Sequence, residues 1–212
     1  MTAHARKAKL LMELRAGGVG DRRVLAAIEK TPREKFVAPP FRDKAYDNVA
    51  LPIGFHQTIS QPQVVGLMTQ ALELTDRMKV LEVGTGSGYQ TAVLSRLARR
   101  VYTIERHAEL LREAEKRLAA LRITNVTAKT GDGSLGWPEQ APFQRILVTA
   151  AAADIPPLLV GQLAVGGIMI VPIGADDPMQ HLVRVRRTEQ GSETEDLGPV
   201  KFVPLVGEPA AR

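Results

Sequence analysis

Val80-Leu81-Glu82-Val83-Gly84-Thr85-Gly86-Ser87-Gly88-Tyr89 reads as a buried strand running directly into alternating glycines and then into a helix. Glycine at such a junction lets the backbone turn tightly and lets a ligand lie against it, while the helix start offers free N–H groups. A bare strand-to-helix turn needs one glycine, so three alternating ones point to a nucleotide-type ligand in a strand, loop and helix context. The following strand pattern ends in Glu105, 21 residues after Gly84, where a carboxylate can accept hydrogen bonds from both hydroxyls of a ribose.

Outward from this stretch the pattern is regular. Strands are predicted at Lys79–Val83, Val101–Glu105, Val126–Thr130, Arg145–Thr149 and Ile168–Val171, separated by helical patterns from about Tyr89, over His107–Leu121 and near Pro156–Leu163. Apolar strands alternating with helices imply a parallel sheet covered on both faces, because each crossover must lay a helix on a face. After Pro172 the helices stop. His181–Arg187 and Lys201–Leu205, joined through the polar stretch Glu189–Asp196, are expected to add an antiparallel edge, with Arg184, Arg186 and Arg187 as edge-strand charges that discourage sheet-to-sheet association.

Before the core, Leu10, Leu11 and Leu14 and then Val24, Leu25 and Ile28 recur at helical spacing on either side of Gly17-Gly18-Val19-Gly20, with Asp21 as N-cap and Pro32 as the stop. Residues 33–59, with Pro39-Pro40, Pro52 and Gly54, keep no sustained period and read as an ordered wrap. A helix from about Ser60 to Leu74 follows, and Ser60-Gln61-Pro62-Gln63 has the form of a capping box with Ser60 as N-cap. The 212 residues suit one domain: residues 1–59 as N-terminal helices and a covering loop, 60–174 as the α/β core, and 175–212 as C-terminal antiparallel strands.

Composition excludes several functions. No cysteine is present, which removes disulfides, thiolate catalysis, zinc ribbons and iron-sulfur clusters. The four histidines, at 4, 56, 107 and 181, have no metal-ligand spacing, so no metal is expected. The net charge of +5 tolerates anionic partners, yet one Trp, three Tyr and five Phe are too thinly spread for a base-stacking platform. No run approaches the roughly 18 apolar residues of a spanning helix, and charges at Arg6, Lys7, Lys9, Glu13 and Arg15 break any signal-peptide core, so the expectation is a soluble cytoplasmic protein.

A dinucleotide fingerprint would need its third glycine where Tyr89 stands and has no use for an acid at Glu82. Spacing G-x-G-x-G behind Glu82 suits a ligand with a cationic amino-acid end, which describes S-adenosylmethionine better than NAD. The stretch resembles the first motif of the S-adenosylmethionine-dependent methyltransferases, and Gly131-Asp132-Gly133 resembles their adenine-contacting turn; the fold implied is a doubly wound, Rossmann-like α/β sheet with an antiparallel edge and an N-terminal helical segment. Thr149-Ala150-Ala151-Ala152 lacks the Asn or Asp followed by Pro-Pro and an aromatic that exocyclic-amine methylation uses. A carboxylate acceptor is already ionised near pH 7 and needs no general base, so alignment and a dry pocket suffice.

Leu51-Pro52-Ile53-Gly54-Phe55-His56-Gln57-Thr58-Ile59-Ser60-Gln61-Pro62 closely resembles the signature of the protein-L-isoaspartate O-methyltransferase family, with further matches at Pro32–Val37, Val101–Arg106, Gly136-Trp137-Pro138 and Phe202–Leu205. That resemblance implies methyl transfer from S-adenosyl-L-methionine to the α-carboxyl of L-isoaspartyl residues, leaving S-adenosyl-L-homocysteine and an ester that cyclises and reopens partly to aspartate. Carried onto this chain, Ser60 matches the active-site serine that orients the carboxylate; Thr58 and Ile59 match the closing loop. Glu82, Gly84, Thr85, Gly86 and Gly88 match the cofactor loop, Glu105 the ribose acid, and Asp132 with Gly133 the adenine turn. His56 stands where many members have glycine, Gln63 where an aromatic is common, and Val206 where some carry a hydroxyl. In that family the last two strands are interchanged relative to the usual methyltransferase order. The partners expected are isoaspartyl-containing peptides and proteins, with no nucleic acid and no membrane, and the protein is expected to be a monomer. A nucleic-acid methyltransferase and a cofactor-binding protein without transfer activity are the alternative readings, with an NAD-dependent enzyme more distant.

Overall fold

The computed structural model describes residues 2–207, so Met1 and residues 208–212, at the two ends of the expected single domain, lie outside the described residues. Helix α1 (Ala3–Ala16) starts where the Thr2 hydroxyl accepts from the Ala5 N–H, and α2 (Arg22–Lys30) starts where the Asp21 carboxylate accepts from the Arg23 N–H at 2.8 Å. Each cap satisfies an N–H that the first turn leaves unpaired. Val24, Leu25, Ala27 and Ile28 form the buried stripe of α2. Residues 33–59 form the expected wrap: two short 3-10 turns at Arg33–Lys35 and Pro39–Lys44, then a hairpin of β1 (Leu51–Gly54) and β2 (Gln57–Ile59).

Helix α3 spans Pro62–Ala71, and here the structure corrects the capping-box expectation. Its N-cap position is Gln61, and no side chain of the helix caps it. The Gln63 N–H instead donates to Asn48 Oδ1 at 2.9 Å, and the Gln63 side chain donates to the Gly17 carbonyl rather than turning back to Ser60. A distant asparagine satisfies the helix start, which releases the Ser60 hydroxyl from that duty. At the other end of α3, the buried Arg145 guanidinium donates to the carbonyls of Leu72 and Glu73.

The core is a seven-stranded sheet. After α3 come β3 (Lys79–Val83), α4 (Tyr89–Ser95), β4 (Arg100–Glu105), α5 (Ala108–Ala120), β5 (Val126–Thr130), β6 (Phe143–Val148), α6 (Pro157–Gly161), β7 (Leu163–Ile173), β8 (Gln180–Thr188) and β9 (Gly191–Val200). The strand order is β5-β4-β3-β6-β7-β8-β9, parallel from β5 to β7 and antiparallel beyond. Its last two strands follow in sequence order. Period-two alternation splits the sheet's side chains between two apolar clusters: Leu81, Val83, Ile146 and Val148 on one face, Val80, Leu147, Ile168 and Ile170 on the other. The N-terminal helices form a third cluster with Tyr89, Ala92 and Val93 of α4, so the segment from Leu10 to Ile59 is packed onto the start of the glycine loop's helix.

Two expectations at the C-terminal edge fail. The last strand is the polar stretch 191–200, not Lys201–Leu205, which lies outside the sheet. Because β9 is largely exposed, it carries no apolar alternation; charged cross-strand neighbours serve instead, Arg184 and Glu195 meeting at 2.8 Å. It follows that β8 is not the edge, and Arg184 and Arg186 engage Glu195 and Glu73 rather than guarding a free rim. No helix among the described residues is long and apolar enough to cross a membrane.

The capping geometry separates two neighbouring side chains. Asn48→Ala should lower unfolding free energy by about 1 kcal/mol in denaturant melts, whereas Ser60→Ala should leave it within a few tenths of the parent value. The reverse ranking would restore Ser60 as the cap.

Candidate active site

Strand β3 delivers the glycine loop to the carboxyl edge of the sheet, where open α/β folds place their ligands. The turn depends on a close approach: a Cβ at Gly84 would stand 2.3 Å from Thr149 Oγ1, and Gly84 has φ +97°. The Thr149 hydroxyl, at the end of β6, lies 2.9 Å from the Val83 carbonyl oxygen and 2.8 Å from that of Gly84, stapling the turn. Gly133 is constrained in the same way, since its Cβ would lie 2.4 Å from Val83 Cγ1. The sequence predicts Thr149 as the last residue of a buried strand, and that position, level with the first glycine, is the signal for its stapling role.

Around the loop lies a cavity of about 800 Å3, within the roughly 300–1,000 Å3 usual for small-molecule sites. Of the expected site residues, Thr58, Ile59, Ser60, Gly84, Thr85, Gly86, Glu105 and Gly133 line it. The hairpin supplies the first two and Ser60 follows it directly. Ser60 makes no hydrogen bond to any described residue, so its hydroxyl is available to a ligand. Glu105 is buried at 5% exposure, with Oε2 accepting from the Gly86 N–H at 2.8 Å and Oε1 from the His107 N–H at 3.0 Å. Each oxygen keeps a lone pair, which is what a vicinal diol requires of a carboxylate. That acceptor, beside a loop floor free of bulky side chains, fits the ribose and adjoining end of an adenosyl cofactor.

Glu82, Gly88 and Asp132 are not among the lining residues. Gly88 sits behind the loop, packed against Ala114. Asp132 Oδ1 accepts from the Ser134 N–H at 2.8 Å and from its hydroxyl at 2.7 Å, so it shapes the turn that presents Gly133. Glu82 points to the opposite face of β3 from Leu81 and Val83 and is fully buried. Its Oε2 accepts from Thr91 at 2.5 Å and Thr103 at 2.7 Å, while Oε1 has no partner among the described residues. The Thr85 hydroxyl lies 2.6 Å from that of Thr103, so two hydrogen-bonded hydroxyls tie the loop to the acid. Burial pushes the Glu82 carboxyl up to about 8, against the Thr91 and Thr103 hydrogen bonds and with help from the Glu105 charge.

The C-terminal stretch read as a strand forms the far wall. Residues 199–206 line the cavity, held by Ala151, whose N–H donates to the Val203 carbonyl at 2.8 Å and whose carbonyl accepts from the Leu205 N–H at 2.7 Å. Arg106 reaches the Val206 carbonyl from the opposite side at 3.1 Å. This wall was missed as a site element, although Phe202–Leu205 had been matched as a motif: an apolar run has the same pattern whether it enters a sheet or lines a cavity.

The comparisons agree with one another. The family described as Protein-L-isoaspartate(D-aspartate) O-methyltransferase (PCMT) matches residues 5–210. A protein-L-isoaspartate O-methyltransferase of Rhodospirillum rubrum is 65% identical over 97% of this chain and 95% of its own length, and that of Rhodospirillum centenum is 63% identical over 97% and 94%. A solved protein-L-isoaspartate O-methyltransferase superposes with a TM-score of 0.85 at 28% identity, covering 95% of this chain and 66% of that one. A second, from Plasmodium falciparum and described as a complex with S-adenosyl-L-homocysteine, has a TM-score of 0.82 at 25% identity over 93% of this chain and 97% of that one.

The buried Glu82 generates a pH test. Its folded pKa lies above its unfolded value, so the native state holds a proton that the unfolded chain lacks between about pH 4.5 and 8. The stability this contributes is complete below that window and is lost as pH rises through it. In denaturant melts from pH 5 to pH 8, Glu82→Gln should gain on the parent protein by on the order of 1 kcal/mol per pH unit. A constant difference across that range would contradict a buried neutral acid.

Proposed function

The chain belongs to the protein-L-isoaspartate(D-aspartate) O-methyltransferase family, and we propose that it methylates the α-carboxyl of L-isoaspartyl residues from S-adenosyl-L-methionine with Ser60 orienting the acceptor. The observation that carries this reading is the uncommitted Ser60 hydroxyl, which lines the same cavity as the glycine loop and Glu105. When bound, the cofactor supplies an electrophilic methyl on a sulfonium; the acceptor oxygen bonds to it, the C–S electron pair goes to sulfur, and S-adenosyl-L-homocysteine leaves.

The chain's own groups do the rest. Glu105 accepts from the ribose hydroxyls, and the Gly84–Ser87 backbone forms the floor beside it. Gly133, whose position Asp132 maintains, would hold the adenine end. Thr58 and Ile59 close over the reacting groups from the hairpin side. Ser60 donates its proton as a hydrogen bond to one acceptor oxygen and leaves the other aimed at the methyl; it forms no covalent bond. No base is required, because the acceptor carboxylate is already ionised near neutral pH. Opposite charges cancel as the methyl moves, so excluding water from this pocket lowers the barrier further. Glu82 acts from beneath the floor, through Thr103 and Thr85, rather than on the cofactor directly.

In this reading residues 1–59 cover the site, 60–174 hold the cofactor, and the C-terminal segment from 175 onward supplies the far wall. The partners are isoaspartyl-containing peptides and proteins, met by a monomer in the cytoplasm, and neither nucleic acid nor membrane takes part.

Two peptides differing only in one isoaspartyl versus aspartyl linkage test the reaction. With methyl-labelled S-adenosylmethionine, base-labile label should appear on the isoaspartyl peptide alone. Cofactor binding with no label on either would favour a nucleic-acid acceptor or a binding protein. For Ser60→Ala, kcat/KM toward the isoaspartyl peptide should fall by about 1.5–3 kcal/mol in transition-state stabilisation while affinity for S-adenosyl-L-homocysteine is nearly unchanged. Unaltered kinetics would remove the serine from the reaction.

A further inference from the structure

The tip of the β1–β2 hairpin is a two-residue loop in which Phe55 has φ +52° and His56 φ +57°. Positive φ at both central positions belongs to the turn type usually made by Asn-Gly, and bulky side chains are strained there. The tip is also exposed, with Phe55 at 48% and thus without a core contact to hold it. What it has instead is the imidazole of His107: the two rings stack with centroids 5.0 Å apart and planes 26° from parallel.

His107 is no ordinary surface residue. It is the N-cap of α5, its N–H donates to Glu105 Oε1, and Glu105 Oε2 accepts from Gly86. Both Phe55 and His107 line the cavity, whereas they reach it from opposite directions, one from the N-terminal wrap and one from the sheet edge. A continuous series of contacts therefore runs from the hairpin tip through His107 and the ribose-side acid to the glycine loop.

We propose that Phe55 and His107 are positioning residues that form a clasp across the cavity mouth, fastening the hairpin over the nucleoside end of the cofactor and setting how fast it is exchanged. This rests on the cofactor reading above. Cofactor can leave on the hairpin side only after the rings part, and the strained turn favours that parting once the stack is lost. Because Thr58 lies on the same hairpin and Ser60 directly follows it, the clasp also holds the acceptor-orienting hydroxyl near the loop. His56 adds strain to the turn through its positive φ.

The test is the dissociation rate of S-adenosyl-L-homocysteine from the full-length protein, followed with tritiated ligand chased by excess unlabelled ligand. Phe55→Ala and His107→Ala should each speed release about 2- to 10-fold, the range an aromatic pair supplies. The double variant should be no faster than the quicker single one, and Phe55→Tyr should restore slow release. His107→Ala keeps the backbone N–H to Glu105, so altered release in it reports the ring. Unchanged release in Phe55→Ala, or single effects that multiply in the double variant, would overturn the clasp. Failure of the parent protein to bind the ligand at all would overturn the cofactor reading and the clasp with it, an outcome distinguishable from the other two.

Discussion

Strand β3 can end beside β6 and turn into α4 only because nothing stands between Gly84 and Thr149. A single Cβ at residue 84 would sit well inside the contact distance of the Thr149 hydroxyl, and that hydroxyl is the group that holds the turn through the Val83 and Gly84 carbonyls. The remaining parts of the site take their positions from this junction. Glu105 reaches the loop through Gly86, Gly133 packs on Val83, and Thr85 reaches back to Glu82 through Thr103. Buried polar groups linked in this way rigidify a site because each unmade hydrogen bond in a low-dielectric interior is costly.

Burial divides the two acids of the motif into different roles. Glu105 lies at the cavity with two N–H donors on its oxygens. Glu82 faces the other side of the sheet, among hydroxyls and apolar side chains, where a charge has no counterion. Alternation along β3 makes this inevitable: if Val83 points to the cavity side, Glu82 cannot. An acid two residues before the first glycine is then a support for the loop, and the expectation that it faces the ligand's amino-acid end does not survive the geometry.

The mouth of the site is assembled from segments far apart in the chain. The hairpin before α3, the start of α5 and the stretch after β9 converge on one cavity, each held by a few specific contacts: the Phe55–His107 stack, the Ala151 backbone pairing with Val203 and Leu205, and the Arg106 contact with Val206. A small catalytic demand matches this construction. Transfer to a carboxylate asks for alignment and exclusion of water, which walls and a cover can provide without an array of titrating side chains.

The parallel half of the sheet was legible in the sequence because its buried strands carry mostly apolar residues, as Lys79–Val83 does, and the half-buried edge strand Val126–Thr130 also falls where the strand and helix alternation places it. The glycine loop and Glu105 were legible because turn geometry and ribose recognition restrict residue type locally. Strand β9 was not, since an exposed edge paired through charges carries no apolar signal. Nor was the freedom of Ser60: the local cap pattern was sound, and Asn48, 15 residues before the Gln63 N–H it accepts from, displaced it. The α/β class and the cofactor loop follow from periodicity and short-range spacing in the sequence, and the family from the resemblance that Leu51–Pro62 and the motifs matching beside it carry. Only the tertiary structure decided which acid meets the cavity, what caps α3, and that Phe55, His107 and the 199–206 wall share one mouth, because those depend on contacts between segments whose separation along the chain says nothing of their distance in space.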